Sequence, residues 1–151
     1  MKVREIMTSD VKACRPETNL AEAVKLMWDR DCGVLPVVKS DGKVSGMITD
    51  RDICVAMVTR GQTADRITVS DVTTGKAYTC SPDDDAVVAL QTMKMQRVRR
   101  LPVVDAQGRL RGILSLNDVL THAGAASSTE IMSTIASICE HRRPTPMAST
   151  A

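Results

Sequence analysis

Aromatic side chains are nearly absent from this sequence. Its 151 residues include one tryptophan, one tyrosine and no phenylalanine, here Trp28 and Tyr78. Proteins that bind single-stranded nucleic acid usually stack bases on aromatic rings, so the composition argues against this class. Charge is nearly balanced too, with 20 Lys and Arg against 18 Asp and Glu. A net charge of +2 is too small for a general DNA-binding or membrane-binding surface.

Motifs of catalysis, metal binding and membrane insertion are also missing. The sequence has no G-x-S-x-G, H-E-x-x-H, Walker loop or G-x-G-x-x-G, so we expect no enzyme activity. Its five cysteines form no C-x-x-C pair, so we expect reduced thiols and no metal site. The longest apolar runs have about five residues, far below the roughly 18 of a membrane span. No signal-peptide core follows the first residues, and a cytoplasmic location is expected.

An internal repeat organises the chain. The segment GVLPVVKSDGKVSGMITDRDI around Pro36 matches RRLPVVDAQGRLRGILSLNDV around Pro102, which lies 66 residues later. The register holds without a gap over most of each half. We therefore expect two repeat domains, residues 1–62 and 63–124, followed by a C-terminal segment, residues 125–151.

Each repeat is predicted to be a β-α-β-β-α unit. A short strand before Pro16 precedes a helix whose apolar residues fall on one face. These residues are Leu20, Ala23, Val24, Met27 and Trp28. Two β-branched runs joined at Asp41-Gly42 predict a hairpin, and a helix over 50–59 ends the unit. The fold class is therefore α/β (α+β), with the two repeats packed sheet to sheet around a pseudo-twofold axis.

The C-terminal segment is predicted to form one more helix. Ser127 and Glu130 have the spacing of a capping box, and the helix is expected over residues 128–142. Its apolar stripe is Ile131, Ile135, Ile138 and Cys139. Two alternatives stay open: the stripe covers this chain's own core, or it docks onto a second subunit. The final PTPMASTA is expected to be disordered.

A second repeated pattern is Gly, two apolar residues, then Ser/Thr-x-x-Asp. It places Thr49 before Asp52 in the first copy and Ser115 before Asp118 in the second. One interpretation is a plain helix capping box. The other is a nucleotide site, because free N–H groups and a hydroxyl at a helix start can bind a phosphate. A carboxylate one turn into the helix can also accept from two ribose hydroxyls. The repetition beside an apolar strand favours the nucleotide site.

The repeated unit, the Leu-Pro-Val-Val strand and the Ser/Thr-x-x-Asp pattern resemble tandem CBS domains, named for cystathionine β-synthase. The resemblance covers residues 1–124. It implies a regulatory module that binds AMP, ADP or ATP, or alternatively S-adenosylmethionine, in clefts between the repeats. It also implies a homodimer. Many such modules are attached to enzymes, channels or transporters; here a stand-alone version is expected, with a separate enzyme or transporter as its partner.

The resemblance also assigns roles by position. Asp52 and Asp118 would hold ribose hydroxyls, each in its own cleft, while Thr49 and Ser115 would contact phosphate. We call these clefts the Asp52 cleft and the Asp118 cleft.

Basic residues just before the second Leu-Pro-Val-Val strand complete this expectation. Arg99 and Arg100, which follow Arg97, are expected to face phosphate in the Asp52 cleft. The other cleft would face Gly33 and Val34 instead, so the Asp52 cleft is expected to bind more tightly. The competing interpretation of these arginines is a solvated basic stretch at a helix end.

Two other functions stay open on the sequence. One is a structural or oligomerisation module that regulates a partner without binding a ligand. The other is a nucleic-acid-linked or metal-linked regulator, which Arg142, Arg143 and the arginine cluster would allow.

Overall fold

Two similar halves follow each other along the chain. The structure, a computed structural model, describes residues 1–122 and 124–140. In chain order the helices and strands are α1 Val3–Ile6, α2 Leu20–Asp29, β1 Val34–Val38, β2 Val44–Thr49, α3 Asp50–Arg60, α4 Ala86–Gln96, β3 Arg100–Val104, β4 Leu110–Ser115, α5 Leu116–Thr121 and α6 Ser128–Cys139. Two 3-10 turns, Ala64–Arg66 and Val69–Asp71, connect α3 to the second half. None of the helices in these ranges is long and apolar enough to cross a membrane.

The strands of each half form an antiparallel hairpin in the same register. Leu35 pairs with Ile48 in the first hairpin, and Leu101 pairs with Leu114 in the second. Each of these four residues is matched by its counterpart 66 positions away. A third extended segment borders each hairpin, with Cys14 beside β1 and its counterpart beside β3.

The two hairpins meet each other at their turns. Lys43 pairs in antiparallel fashion with Arg109, its own counterpart in the second repeat. The N–H of Val44 donates to the carbonyl of Gly108 at 3.0 Å, and that of Leu110 donates to the carbonyl of Gly42 at 3.2 Å. Because a residue pairs with its own equivalent, the pseudo-twofold axis predicted from the repeat passes through this point.

The first turn of each repeat packs into the other repeat. Val3 of α1 lies in the core of the second half, and Val69 lies in the core of the first. The backbone repeats the exchange, because the N–H of Val3 donates to the carbonyl of Asp84 and that of Val69 to the carbonyl of Thr18. The predicted limits, residues 1–62 and 63–124, divide the chain by its sequence repeat. The packing does not follow these limits, because the segment at Val3 joins the second core and the segment at Val69 joins the first.

Helix α6 packs on the second repeat of its own chain. Ser127 and Glu130 form the capping box expected from their spacing, with the Ser127 N–H donating to Glu130 Oε2 at 2.8 Å. The stripe Ile131, Ile135 and Ile138 packs against the second core. Of the two alternatives, the structure therefore has α6 covering its own core. The helix is predicted over residues 128–142, but it ends at Cys139 with Glu140 as its C-cap. Residues 141 and 142 and the predicted disordered end lie outside the described ranges.

The prediction that Trp28 lies on the buried stripe of α2 is wrong. Leu20, Ala23 and Met27 of this helix are buried, but Trp28 is 85% exposed and Val24 is 42% exposed. Val24 corresponds to Leu90, which is 1% exposed. The exposed fractions of Val24 and Leu90 differ because α6 packs along α4 in the second repeat.

Candidate functional site

Both Ser/Thr-x-x-Asp patterns fold as capping boxes. Thr49 caps α3: its Oγ1 accepts from the Asp52 N–H at 3.1 Å, and Asp52 Oδ2 accepts from the Thr49 N–H at 3.0 Å. Ser115 and Asp118 repeat this at the start of α5, with distances of 3.2 and 2.7 Å. In each case only Oδ2 is used within the part of the chain that the structure describes. Helix capping thus leaves one oxygen of each carboxylate for a ligand.

The Asp118 cleft is a cavity of about 270 Å³ built from both repeats. The start of the first repeat and β1 form one side, and the β4–α5 junction forms the other. Its apolar wall consists of Val11, Val34, Leu35 and Ile113. Its basic groups are Lys12, Arg30 and Arg100. The cleft thus combines a surface for a flat apolar group, a half-buried carboxylate and hydroxyl, and positive charge.

The surroundings of Asp52 are more polar. Asp52 shares a cavity of about 770 Å³ with Arg51, Arg97 and Arg99, and the end of α6 forms its other wall. Arg97 is paired there with Glu140 at 2.7 Å. Asp52 is exposed, whereas Asp118 is half-buried. The structure therefore brings Asp52 and Arg99 together, as the resemblance to CBS domains implies.

Arg100 lies in a different place from the one expected. It lines the Asp118 cleft, whereas Arg99 lines the cavity beside Asp52. Arg100 is the first residue of β3 and pairs with Ser115, which brings it to the α5 junction. Arg99 lies in the bend before β3, and both arginines also line a cavity of about 340 Å³ beside Ser115 and the end of α6, so their division between the two clefts is partial.

Two basic residues of the Asp118 cleft were missed from the sequence. Lys12 and Arg30 line it, and Arg30 Nη1 also pairs with Asp10 at 3.3 Å. Their counterparts in the second repeat are Tyr78 and Gln96, neither of which is cationic. A comparison of every charged position between the two copies would have shown this difference. These residues bring positive charge to the Asp118 cleft that the sequence-based expectation of weaker binding did not include, although Asp10 in the same cleft pairs with Arg30.

Of the predicted neutral neighbours of Asp118, the structure brings only one to the cleft. Val34 lines it, as expected. Gly33 lies instead beside Asp50 in a separate groove on the helix side of the first repeat. This position leaves little space, because a Cβ on Gly33 would lie 2.8 Å from Asp50 Oδ2.

The buried thiols are unreactive structural groups. Burial raises the pKa of Cys14 to about 11 and that of its counterpart Cys80 to about 12. Both thiols therefore stay protonated near neutral pH. Only the deprotonated form, the thiolate, acts as a nucleophile or a metal ligand. Within residues 1–122 and 124–140, no group of three His, Cys, Asp or Glu side chains is placed to hold a metal ion.

The family model for the CBS domain matches this chain twice, at residues 3–59 and 69–124. The chain belongs to the CBS domain family. Among curated relatives, the CBS domain-containing protein YhcV of Bacillus subtilis is 35% identical over 117 residues, which are 78% of this chain and 81% of YhcV.

Solved structures agree with a pair of CBS domains. A conserved CBS domain protein of unknown function from Thermoplasma acidophilum is 26% identical, with a TM-score of 0.78 over 91% of this chain and 75% of its own. The structure of CBSX2 in complex with AMP is 25% identical, with a TM-score of 0.68 over 79% of this chain and 92% of CBSX2. The mixed α/β fold predicted from the two repeats is thus confirmed.

Proposed function

We propose that this CBS pair is a regulatory module that binds an adenine nucleotide between its two repeats. The observation that carries the proposal is the composition of the Asp118 cleft. One cavity there combines an apolar wall, a carboxylate and hydroxyl at a helix start, and the basic side chains Lys12 and Arg100, beside an Arg30–Asp10 ion pair. A base, a ribose and a phosphate need these three kinds of surface. The presence of AMP in CBSX2, a structural relative, supports the choice of adenine.

Each part of the ligand has its own group in this proposal. The free Oδ1 of Asp118 accepts hydrogen bonds from ribose hydroxyls. The base lies against Val34 and Ile113, and Lys12 and Arg100 bind phosphate. A hydrogen bond to a charged group contributes about 1.5–3 kcal/mol, so the basic residues supply much of the affinity. Because the ligand touches both repeats, its binding favours one relative arrangement of the two, and a partner protein can recognise that arrangement.

The Asp52 cleft is the second site in this proposal. Asp52 would hold ribose, while Thr49 and Arg99 would contact phosphate. Asp52 is exposed, whereas Asp118 is half-buried in a cavity with an apolar strand wall. We therefore assign the tighter site to the Asp118 cleft, which reverses the order expected from the sequence.

A ligand screen tests the proposal. AMP, ADP, ATP, S-adenosylmethionine and adenosine are added in turn, and the melting temperature is followed. A ligand at 100 times its dissociation constant adds about 2.7 kcal/mol of stability. Asp118→Asn keeps an oxygen for the α5 cap but places an amide beside the ribose, so it should weaken binding. Asp52→Asn is the matched variant in the other cleft. If none of the five compounds shifts the melting temperature, the module does not bind adenine ligands.

One observation favours a second function, assembly of the chain into a homodimer. Helices α2 and α3 leave an apolar groove of about 570 Å³, whose apolar residues are Val24, Met27, Trp28, Ile53, Cys54 and Met57. We call this the first-repeat groove. The equivalent face of the second repeat is covered by α6, an apolar helix. Exposed apolar patches of this kind mark interaction sites. The groove of a second copy would cover this one, and the module would then act through assembly as well.

The regulated protein and the location of this chain are also proposals. A separate enzyme or transporter remains the expected partner, since the module itself is proposed to bind and not to catalyse. A cytoplasmic location remains a prediction that rests on five cysteines without a disulfide.

A further inference from the structure

The end of helix α6 lies against the basic residues of the Asp52 cleft. Ile138, Cys139 and Glu140 form one wall of the cavity that contains Asp52. Within it, Arg97 Nη2 donates to Glu140 Oε2 at 2.7 Å. A carboxylate of the chain itself is therefore paired with one of the cations that share this cavity with Asp52.

The position of Arg97 is fixed by the backbone. Arg97 ends α4 in the left-handed conformation, with φ of 54°, and its N–H donates to the carbonyl of Lys94. A cation at this end of a helix is favoured by the helix dipole. The side chain therefore starts from a well-defined point beside the cleft, and its choice of anion decides the local charge.

Helix α6 is tied to the same end of α4. Lys94 Nζ donates to Ser133 Oγ at 2.5 Å, and Ser137 Oγ donates to the carbonyl of Lys94 at 3.1 Å. Together with the Arg97–Glu140 pair, these bonds run along the polar edge of α6, while its isoleucines cover the core. The ion pair is the last of these contacts and the one nearest to the cleft.

We propose that Glu140 is an internal competitor for the phosphate of a ligand in the Asp52 cleft. Phosphate on Arg97 and Arg99 displaces the Glu140 carboxylate and frees the last turn of α6 from α4. Binding in this cleft thereby changes the state of α6. This inference rests on the proposed function and adds a regulatory role for α6.

The size of the effect follows from the exposure of the pair. The side chain of Arg97 is 35% exposed and that of Glu140 is 64% exposed. An ion pair in this setting is weak and is screened by salt. Removing the carboxylate should therefore raise phosphate affinity by about two- to fivefold, and less at high salt. The coupling is reciprocal, so the ligand should loosen the end of α6 by the same factor.

Titration calorimetry with AMP and adenosine tests the competition. Glu140→Gln removes the anion and keeps the size of the side chain. Glu17→Gln makes the same change of net charge at an exposed site before α2, outside the residues that line either cleft. All proteins carry Asp118→Asn, so that binding in the Asp52 cleft dominates. We expect Glu140→Gln to raise AMP affinity two- to fivefold and to leave adenosine unchanged, and Glu17→Gln to change neither.

Hydrogen exchange of α6 supplies a second readout. AMP should speed exchange in the last turn of α6, whereas adenosine should not. If AMP binds but Glu140→Gln changes nothing, or improves adenosine equally, the competition is refuted and the proposed function stands. If AMP and adenosine bind neither the parent chain nor any variant, the proposed function is refuted and the competition with it.

Discussion

At the scale of single residues, the two arginines at the start of β3 distribute positive charge between the candidate sites. Arg99 and Arg100 are adjacent in sequence, yet one lines the cavity of Asp52 and the other lines the cleft of Asp118. The pairing of Arg100 with Ser115 sets this arrangement. Each arginine thus belongs mainly to one candidate site, although both also line a cavity beside Ser115.

This separation makes a prediction about phosphate recognition. Arg100→Ala should lower the affinity of the Asp118 cleft for AMP about ten- to a hundredfold, because one charge-assisted hydrogen bond is lost. Adenosine affinity should change little. Arg99→Ala should lower affinity more in the Asp52 cleft than in the Asp118 cleft. Titration calorimetry on both variants checks this, with Arg111→Ala as an exposed control. Equal loss in both clefts from either variant would contradict the division.

A matched pair of glycines gives a prediction about stability. A Cβ on Gly112 would lie 2.7 Å from the carbonyl oxygen of Thr8, whereas a Cβ on Gly46 would have its nearest neighbour, Thr73 Cβ, at 3.6 Å. Gly112→Ala must push away backbone that pairs with Ile113, and overpacking of this kind costs about 1–3 kcal/mol. Gly46→Ala should cost less than about 1 kcal/mol. Urea unfolding of both variants measures the difference in the free energy of unfolding. Equal losses of stability would contradict the prediction, because they would mean that the backbone at Thr8 moves aside at little cost.

At the scale of the elements, α6 distinguishes the two repeats. Helix α6 packs along α4 and leaves a cavity of about 340 Å³ beside α5, whereas the matching face of α2 and α3 is an open groove. The stability of α6 therefore determines how much apolar surface the second repeat exposes.

The cap of α6 makes its stability depend on pH. The Ser127 hydroxyl and backbone N–H hold the pKa of Glu130 below its ordinary value of 4.5. A lowered pKa in the folded state means that the stabilisation is complete above the ordinary value and is lost as the pH falls through the lowered one. Acidification should therefore weaken the start of α6. The variant Glu130→Gln lacks this titration, so its melting temperature should fall less with acid than that of the parent chain. Parallel curves for the two proteins would contradict the prediction.

At the scale of the whole molecule, the open face of the first repeat determines how copies can meet. The first-repeat groove contains the only tryptophan of the chain, Trp28, which is 85% exposed. Since α6 covers the second repeat, a twofold dimer would use the first-repeat groove on both copies. Such a dimer has one interface, which adjoins the Asp118 cleft at Cys32.

Trp28 supplies both the disruption and the probe for this dimer. Trp28→Glu should convert a dimer into a monomer in sedimentation, because it places a charge in the apolar contact. Met132→Glu, on an exposed part of α6, is the control and should leave the dimer intact. In the parent chain, Trp28 fluorescence should shift to the red on dilution as the ring becomes solvated. If the parent chain sediments as a 16.3 kDa species at all concentrations, the dimer is refuted.

The sequence alone determined the repeating unit and the local structure of the candidate site. The sequence contains the offset of 66 residues directly. It also predicts the Leu-Pro-Val-Val strands and the Ser/Thr-x-x-Asp helix starts, and the structure contains both capping boxes. These features depend on backbone preferences, side-chain periodicity and hydrogen bonds that span three residues. Such interactions act between neighbours along the chain, so the sequence pattern is sufficient to identify them.

The tertiary structure decided which surfaces meet. Only packing shows that Val3 and Val69 exchange between the cores, that Lys12 reaches the Asp118 cleft, and that Trp28 stays exposed. Each of these depends on contacts between residues far apart along the chain. An apolar or basic residue has the same local pattern whether or not another element covers it. The physical reason is that burial and charge pairing are properties of two surfaces, and the sequence pattern describes only one of them at a time.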